Sequence, residues 1–387
     1  MGLKTDRRNT WGSTAAVRRN TRRSAKALPM FKDQGGPVRR TCEVVNGITE
    51  APGDILMKSH SIFPGAAHST SLGFGTTSFM GLPTTGDRLG LLEAAFHAGI
   101  RHFDTAPYYG YGEAERVLGD FARGKRDQLT IATKYGIEPP AIIRARWANL
   151  LARRVLRAAP PLKRFFSRKA QQMTTHAAFS PAAARKSLDR SLLALQTDRV
   201  DLLLLHEPTF EDAASGEMQQ YLDEKLKRGR IRAYGCGGRV EPIKKIASAD
   251  LPTAEWLQFE DSVLDRNIEV VRPNGGKCIT FRTFQSALPE LREYLEANAA
   301  RRLEWQAQLQ MDLGQDRLLA ELLLASSMSR NAGGIVLFST RRAERIRSAV
   351  EVASGDRFTE DQVRTFTGLA TQAFPRGAAQ AGKSDVD

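Results

Sequence analysis

The 387-residue chain is 41% hydrophobic and 26% charged, a composition typical of a globular protein and unlike that of a disordered chain or a coiled coil. No apolar run approaches the ~18 residues that a membrane-spanning helix needs. Three scattered cysteines, Cys42, Cys236 and Cys278, exclude a disulfide scaffold and a four-cysteine zinc site, so we expect no metal and a soluble protein of a reducing compartment, the cytoplasm.

The excess of 57 Lys and Arg over 43 Asp and Glu is concentrated in two segments. The first, residues 1–40, holds eleven basic and two acidic residues but lacks the apolar core of a secretory signal. Residues 1–68 have no sustained periodicity and are interpreted as a basic, disordered N-terminal extension. Their Arg, Ser and Thr content also resembles an organelle transit peptide, and we keep organelle targeting as the alternative.

From residue 69 onward, apolar strand patterns alternate with helical patterns eight times. The predicted strands are 71–75, 101–104, 128–133, 200–205, 230–235, 254–259, 277–281 and 334–338. The predicted helices are 86–99, 112–123, 181–195, 218–228, 241–247, 263–271, 287–328, 343–352 and 359–371. Continuous apolar strands are typical of parallel sheets buried on both faces, and eight units favour an α/β fold of the closed (β/α)8 TIM barrel type over an open doubly wound sheet.

The barrel is expected to span residues 69–375, with a tail at 376–387. Gly73 and Gly75 at the first strand lack the third glycine of a dinucleotide-binding fingerprint, so a Rossmann site is not expected.

The second basic segment is an insertion at 137–180, after the third strand. Residues 139–180 hold nine basic residues and no acidic one, with apolar residues at helical spacing until Pro160 and Pro161. This pattern predicts a basic amphipathic helix that packs on the body with its charged face in solvent. Contact of residues 140–170 with an anionic membrane surface or an acidic partner is the alternative. Because the rest of the chain is mildly acidic, we expect no nucleic-acid partner.

Four ionisable residues lie at or just after the ends of three neighbouring strands, where the active sites of such barrels form: Asp104, Tyr109, Lys134 and His206. Each alone is more often a rim or core residue, but the four together have complementary chemistry. A neighbouring cation lowers the pKa of a phenol toward working pH, so a tyrosine beside a lysine suits a proton donor. A carboxylate can hold the lysine, and a histidine can orient a carbonyl oxygen. This set predicts reduction of a carbonyl, whose alkoxide product needs a proton.

The same segments resemble the aldo-keto reductase family over roughly residues 70–355. The matching segments are 103–115 (FDTAPYYGYGEAE) with Leu118-Gly119, 133–136 (TKYG), 198–208 (DRVDLLLLHEP) and 229–235 (GRIRAYG). The resemblance implies that Asp104, Tyr109, Lys134 and His206 form the catalytic tetrad, with Tyr109 as the general acid. It also implies NADPH as the hydride donor and a small carbonyl or alcohol, such as a sugar, as the substrate.

The resemblance further implies a set of cofactor-binding residues. Gln258 would hold the nicotinamide amide, and Phe281 would stack under the nicotinamide ring, although plain barrel packing is the alternative for Phe281. The loop after the eighth strand would bind the 2′-phosphate, unless it is only a solvated helix start. Its candidate residues are Ser339, Thr340, Arg341, Arg342 and Arg345. Gly75 and Thr76, after the first strand, complete the set.

Two positions depart from the family pattern. Gly237-Gly238 follows the fifth strand where the family has Ser-Asn, and Arg282 begins a segment that replaces Ser-Pro-Leu, so that Arg282 is expected to reach the pyrophosphate. Cys236 is interpreted as a buried structural cysteine, with a redox-sensitive thiol as the alternative.

Two functional hypotheses follow. The first is an NADPH-dependent oxidoreductase that reduces an aldehyde or ketone, or runs in reverse. The second, motivated by the missing Ser-Asn pair and the basic segments, is a catalytically weak protein that senses cofactor on a reductase scaffold.

Overall fold

The computed structural model describes residues 59–60, 69–138, 175–176, 179–271 and 277–375. All of them lie in the second of two compact units, Pro52–Asp387. The predicted disordered extension (except for residues 59–60), most of the basic insertion and the tail lie outside the described residues, so the interpretations given for them stay predictions.

Eight parallel strands close into a barrel, in which each strand pairs with the next and the eighth pairs with the first. They are β1 (Leu72–Gly75), β2 (His102–Asp104), β3 (Thr130–Tyr135), β4 (Val200–His206), β5 (Ile231–Gly237), β6 (Trp256–Glu260), β7 (Lys277–Phe281) and β8 (Ile335–Phe338). The closed barrel confirms the predicted (β/α)8 fold, and closure leaves no edge strand of the kind that an open sheet would have.

The strands are largely buried on both faces, and β4 shows what this requires of the sequence. In β4, Leu202 and Leu204 belong to the cluster that fills the barrel interior, together with Trp256 and Ile279. The alternate residues of β4 belong to a second, larger cluster between the strands and the helices. One strand therefore supplies two cores, which explains its unbroken run of leucines.

Ten helices of eight or more residues surround the barrel in the described part of the chain. They are α1 (Thr85–His97), α2 (Glu113–Ala122), α3 (Pro181–Leu195), α4 (Gly216–Lys227), α5 (Val240–Ala247), α6 (Ala287–Ala297), α7 (Ala299–Leu309), α8 (Asp316–Arg330), α9 (Ala343–Ala353) and α10 (Glu360–Ala373). Shorter helical turns lie at Ser78–Gly81, Tyr109–Gly112, Arg126–Gln128, Phe210–Ala213, Pro252–Ala254 and Ile268–Val271.

The helix predicted over 263–271 is only one turn, Ile268–Val271. The hydroxyl of Ser262 accepts hydrogen bonds from the next backbone N–H groups, and Arg266 adopts a left-handed φ of 51°. The pattern predicted over 287–328 is also interrupted, at Asn298 and at Gln310 (φ 55°). Side-chain hydrogen bonds to backbone and left-handed residues interrupt both predicted helical patterns, and hydrophobic periodicity does not report either feature.

Two short antiparallel pairs flank the barrel. Ser59–His60 pairs with Ser69–Thr70 just before β1, and Ile137–Glu138 pairs with Thr175–His176. The second pair brings the two ends of the basic insertion together beyond β3. Among the described residues, no helix is long and apolar enough to cross a membrane.

Candidate active site

The four predicted catalytic residues line one cavity of ≈730 Å³ at the carboxyl ends of the strands. Asp104 and His206 are the last residues of β2 and β4, and Lys134 is the penultimate residue of β3. Tyr109 begins the helical turn that follows β2. The structure thus brings together all four side chains, although they come from segments up to about a hundred residues apart.

Lys134 is the centre of the arrangement. Its side chain is 2% exposed, and its ammonium donates hydrogen bonds to Asp104 Oδ1 at 2.6 Å and to the Thr105 carbonyl at 3.0 Å. The same nitrogen lies 5.1 Å from the centroid of the Tyr109 ring. Burial alone would lower the pKa of Lys134, but the charges of Asp104 and Tyr109 and hydrogen bonds to both outweigh it, so the pKa is raised. The ammonium therefore stays protonated beside the tyrosine.

The second carboxylate oxygen of Asp104 is held by Gln258. The Gln258 Nε2 donates to Asp104 Oδ2 at 2.8 Å, and the Gln258 residue is 3% exposed. Because β6 lies four strands from β2 around the barrel, this hydrogen bond spans its mouth. Sequence reasoning assigned Gln258 only to the cofactor, and no local pattern could have indicated a contact between residues 154 positions apart.

A tight turn presents Tyr109 to the cavity. Gly110 has a φ of 57°, and a Cβ there would lie 2.3 Å from Cε of Met80. The turn continues through Tyr111 and Gly112, which both have positive φ. Glycine at position 110 adopts this conformation without strain and leaves Met80 in place, which favours the path that brings Tyr109 to the cavity.

His206 lies at the rim of the same cavity, and charged residues extend the rim on either side of it. Glu207 Oε2 lies 3.3 Å from Arg239 Nε, and Arg282 donates to Glu260 Oε2 at 2.6 Å. Glu207, Arg239 and Glu260 were not singled out from the sequence. Glutamate and arginine are common on surfaces, and only the closed barrel reveals that these pairs line the same cavity as the four predicted catalytic residues.

Five of the predicted cofactor-binding residues line the cavity: Gly75, Gln258, Phe281, Arg282 and Ser339. Thr76 and Thr340 are buried, and the Thr340 hydroxyl accepts the backbone N–H of Arg342 at 3.2 Å. The predicted residues therefore divide between the cavity itself and the loop that leads into α9.

The amino terminus of α9 carries three exposed guanidinium groups, those of Arg341, Arg342 and Arg345. In the described part of the chain, none of the three forms an ion pair, and no side chain caps this 11-residue helix. Free backbone N–H groups and the helix dipole favour an anion at such an end. The site therefore fits a phosphate group.

Cys236, in β5, is fully buried, and burial raises the pKa of its thiol to about 12. A thiol that stays protonated is a poor nucleophile, which favours the structural interpretation over a redox-sensitive one.

The aldo/keto reductase family model matches residues 71–371. The chain belongs to this family. Among the relatives of this aldo/keto reductase, pyridoxal 4-dehydrogenase of Microbacterium luteolum is 36% identical over 184 residues, which cover 43% of this chain and 52% of that protein. D-threo-aldose 1-dehydrogenase of a Pseudomonas species is 30% identical over 207 residues, which cover 51% and 60% of the two chains. The chain thus spans between half and two thirds of the length of these relatives.

A crystal structure of an aldo-keto reductase from Klebsiella pneumoniae in complex with NADPH has the same fold. It superposes with a TM-score of 0.57 at 19% identity and covers 83% of this chain and 96% of that one.

Proposed function

We propose that this aldo/keto reductase interconverts an aldehyde or ketone and its alcohol by hydride transfer, with Tyr109 as the general acid. The observation that carries the proposal is the buried chain of contacts from Gln258 through Asp104 to Lys134, which holds an ammonium beside the tyrosine ring at the cavity. If the Lys134–Asp104 pair served only to stabilise the fold, it would not need a tyrosine beside the ammonium at the cavity.

Each residue has a defined task. Reduction leaves negative charge on the carbonyl oxygen, and the Tyr109 hydroxyl donates the proton that neutralises it. The Lys134 ammonium stabilises the phenolate left behind, and Asp104 keeps that ammonium charged and oriented. His206, on the neighbouring strand, orients the carbonyl oxygen toward the phenol. In the alcohol-to-carbonyl direction the same phenolate accepts the proton.

The residues of the chain fit NADPH as the cofactor. The amino terminus of α9, which no side chain of the described residues caps, and its three arginines, which no described carboxylate pairs, suit the additional phosphate that distinguishes NADPH from NADH. Phe281 offers an aromatic ring in the cavity, and Gln258, whose Nε2 is bound to Asp104, has Oε1 as an acceptor for the carboxamide. When bound, the nicotinamide supplies or accepts the hydride. The NADPH complex of the Klebsiella relative is consistent with this choice.

The substrate class is a small carbonyl compound or alcohol that bears hydroxyl groups. Two of the relatives are named for pyridoxal and for an aldose, both hydroxylated aldehydes. The rim of the cavity, with the ion pairs Glu207–Arg239 and Glu260–Arg282, suits polar compounds better than apolar ones.

The test is Tyr109→Phe in the full chain, which removes one hydroxyl and leaves the ring in place. We expect kcat/KM for aldehyde-dependent NADPH oxidation to fall by at least ~100-fold, the usual contribution of a positioned general acid. The Kd of NADPH, followed by cofactor fluorescence, should stay nearly unchanged. Full turnover by the variant would refute the role of Tyr109, and tight NADPH binding by a wild-type protein that reduces no carbonyl would favour the cofactor-sensing hypothesis.

A further inference from the structure

Glu207, directly after His206, has an unusual backbone conformation. Its φ of 59° lies in the left-handed region, which costs a non-glycine residue about 1 kcal/mol or more and is concentrated at functional sites. The conformation is held by a hydrogen bond from the Glu207 N–H to the Gly237 carbonyl at 2.7 Å. The strand ends that carry His206 and Gly237 are paired, so this conformation is built into the barrel.

The departure from the family pattern at the end of β5 makes room for this conformation. A Cβ at Gly238 would lie 3.0 Å from Glu207 Oε2 and 3.1 Å from Glu207 Cα. The second of these contacts is to backbone, which cannot move aside as a flexible side-chain end can. A side chain at position 238 would therefore crowd Glu207, and glycine at this position leaves Glu207 undisturbed.

Arg239 balances the charge of the Glu207 carboxylate but engages only one of its two oxygens. Its Oε2 accepts hydrogen bonds from the Arg239 backbone N–H at 3.2 Å and from Arg239 Nε at 3.3 Å. Its Oε1 accepts none from the described residues, and the side chain, 24% exposed, lines the catalytic cavity. Since Arg239 offsets the charge, the site favours a neutral hydrogen-bond donor over a cation.

We propose that Glu207 binds a hydroxyl group of the substrate and thereby selects hydroxylated carbonyl compounds over unsubstituted ones of the same length. This proposal rests on the proposed function, because it places the hydroxyl next to the carbonyl that His206 orients. It also gives the double glycine a function, since glycine at 238 keeps the carboxylate in the cavity.

The experiment compares D-glyceraldehyde with propanal, which has the same three carbons but no hydroxyl, in NADPH-dependent reduction by the full chain. Glu207→Gly removes the carboxylate, and glycine adopts the left-handed backbone without strain. The arginine it leaves without a partner, Arg239, is 80% exposed, so no charge is buried. We expect the ratio of kcat/KM for glyceraldehyde over propanal to fall about 10- to 100-fold, as for loss of a hydrogen bond to a charged group. Gly238→Ala, whose Cβ would crowd Glu207 Cα and Oε2, should also lower this ratio.

Glu93→Gln is the matched control, because Glu93 is a partly exposed, ion-paired carboxylate on α1, away from the cavity, and it should leave the ratio unchanged. A ratio for Glu207→Gly within about twofold of wild type would overturn the proposal, as would a weakened Kd of NADPH with an unchanged ratio, which would make Glu207 a cofactor contact. Either result would leave turnover intact, whereas a wild-type protein that reduces neither aldehyde would refute the proposed function as well.

Discussion

Asp104→Asn tests the electrostatic core of the proposed site because it removes the charge opposite Lys134 and leaves the shape nearly unchanged. At an effective dielectric constant of ~20, opposite unit charges at the 2.6 Å separation of Lys134 Nζ and Asp104 Oδ1 attract by roughly 6 kcal/mol. Breaking a buried pair by removing one partner costs about 3–5 kcal/mol of unfolding free energy, and we expect a loss in this range.

The variant should also change the pH dependence of catalysis. Burial lowers the pKa of Lys134 and Asp104 is the main cause that raises it, so without Asp104 the pKa of the ammonium falls. The alkaline limb of the kcat/KM profile should therefore move to lower pH, with at least ~100-fold loss of kcat/KM. The assays are chemical denaturation and NADPH oxidation across the pH range.

Asp201→Asn is the control for stability loss alone. Asp201 forms a buried ion pair with Arg126 near the start of β4, at the opposite end of the barrel. This variant should lose stability and keep the wild-type pH profile. A wild-type profile and wild-type kcat/KM in Asp104→Asn would refute the assignment of Asp104 as the group that keeps Lys134 charged.

Two further predictions concern acid stability and cofactor choice. His102 is fully buried, and burial lowers its pKa to about 4 from 6.5, so the unfolded chain binds the extra proton in that window. The contribution of His102 to the free energy of unfolding should be fully present above pH 6.5 and fall by roughly 3 kcal/mol as the pH drops to 4. If wild type and His102→Asn lost the same unfolding free energy over this range in chemical denaturation, this prediction would be wrong. Replacing Arg341, Arg342 and Arg345 by glutamine should weaken the Kd of NADPH ~100-fold at low salt and leave that of NADH unchanged, as loss of charge-assisted contacts predicts. Equal losses for both cofactors in fluorescence titrations would assign the arginines to another role.

The sequence predicted the parts of the fold that depend on local chemistry. The helix at Pro181–Leu195 has the predicted bounds because Ser180 accepts the Ala183 N–H and Pro181 stands in the first turn, two signals that are visible in the sequence. The run of leucines in β4 predicted burial on both faces, and in the structure alternate leucines pack in the barrel interior and against the helices. The four predicted catalytic residues could be brought together from the sequence because each lies near the carboxyl end of a strand or just after it, and closure of the barrel brings these ends together.

The parts that the sequence did not predict depend on contacts across the barrel. The hydrogen bond between Gln258 and Asp104 joins opposite sides of the mouth, and its partners are separated by four strand–helix units. Arg282 was expected to reach a pyrophosphate, and in the structure its guanidinium donates to Glu260, with Arg282 in a left-handed conformation (φ 66°). Hydrophobic periodicity reports neither the hydrogen-bond partner of such a side chain nor the sign of its backbone φ.

The double glycine at the end of β5, which motivated the cofactor-sensing hypothesis, has close polar neighbours. A Cβ at Gly237 would lie 3.2 Å from Gln258 Cβ and 3.3 Å from Gln258 Oε1, and a Cβ at Gly238 would meet Glu207. Two polar side chains, one from β6 and one that follows β4, therefore lie directly against the two glycines. Gln258 in turn donates a hydrogen bond to Asp104, so Gly237 lies one contact away from the carboxylate that holds Lys134. The two glycines therefore lie against Gln258 and Glu207, so the departure from Ser-Asn places two polar side chains, rather than an empty space, in the cavity that the four predicted catalytic residues line.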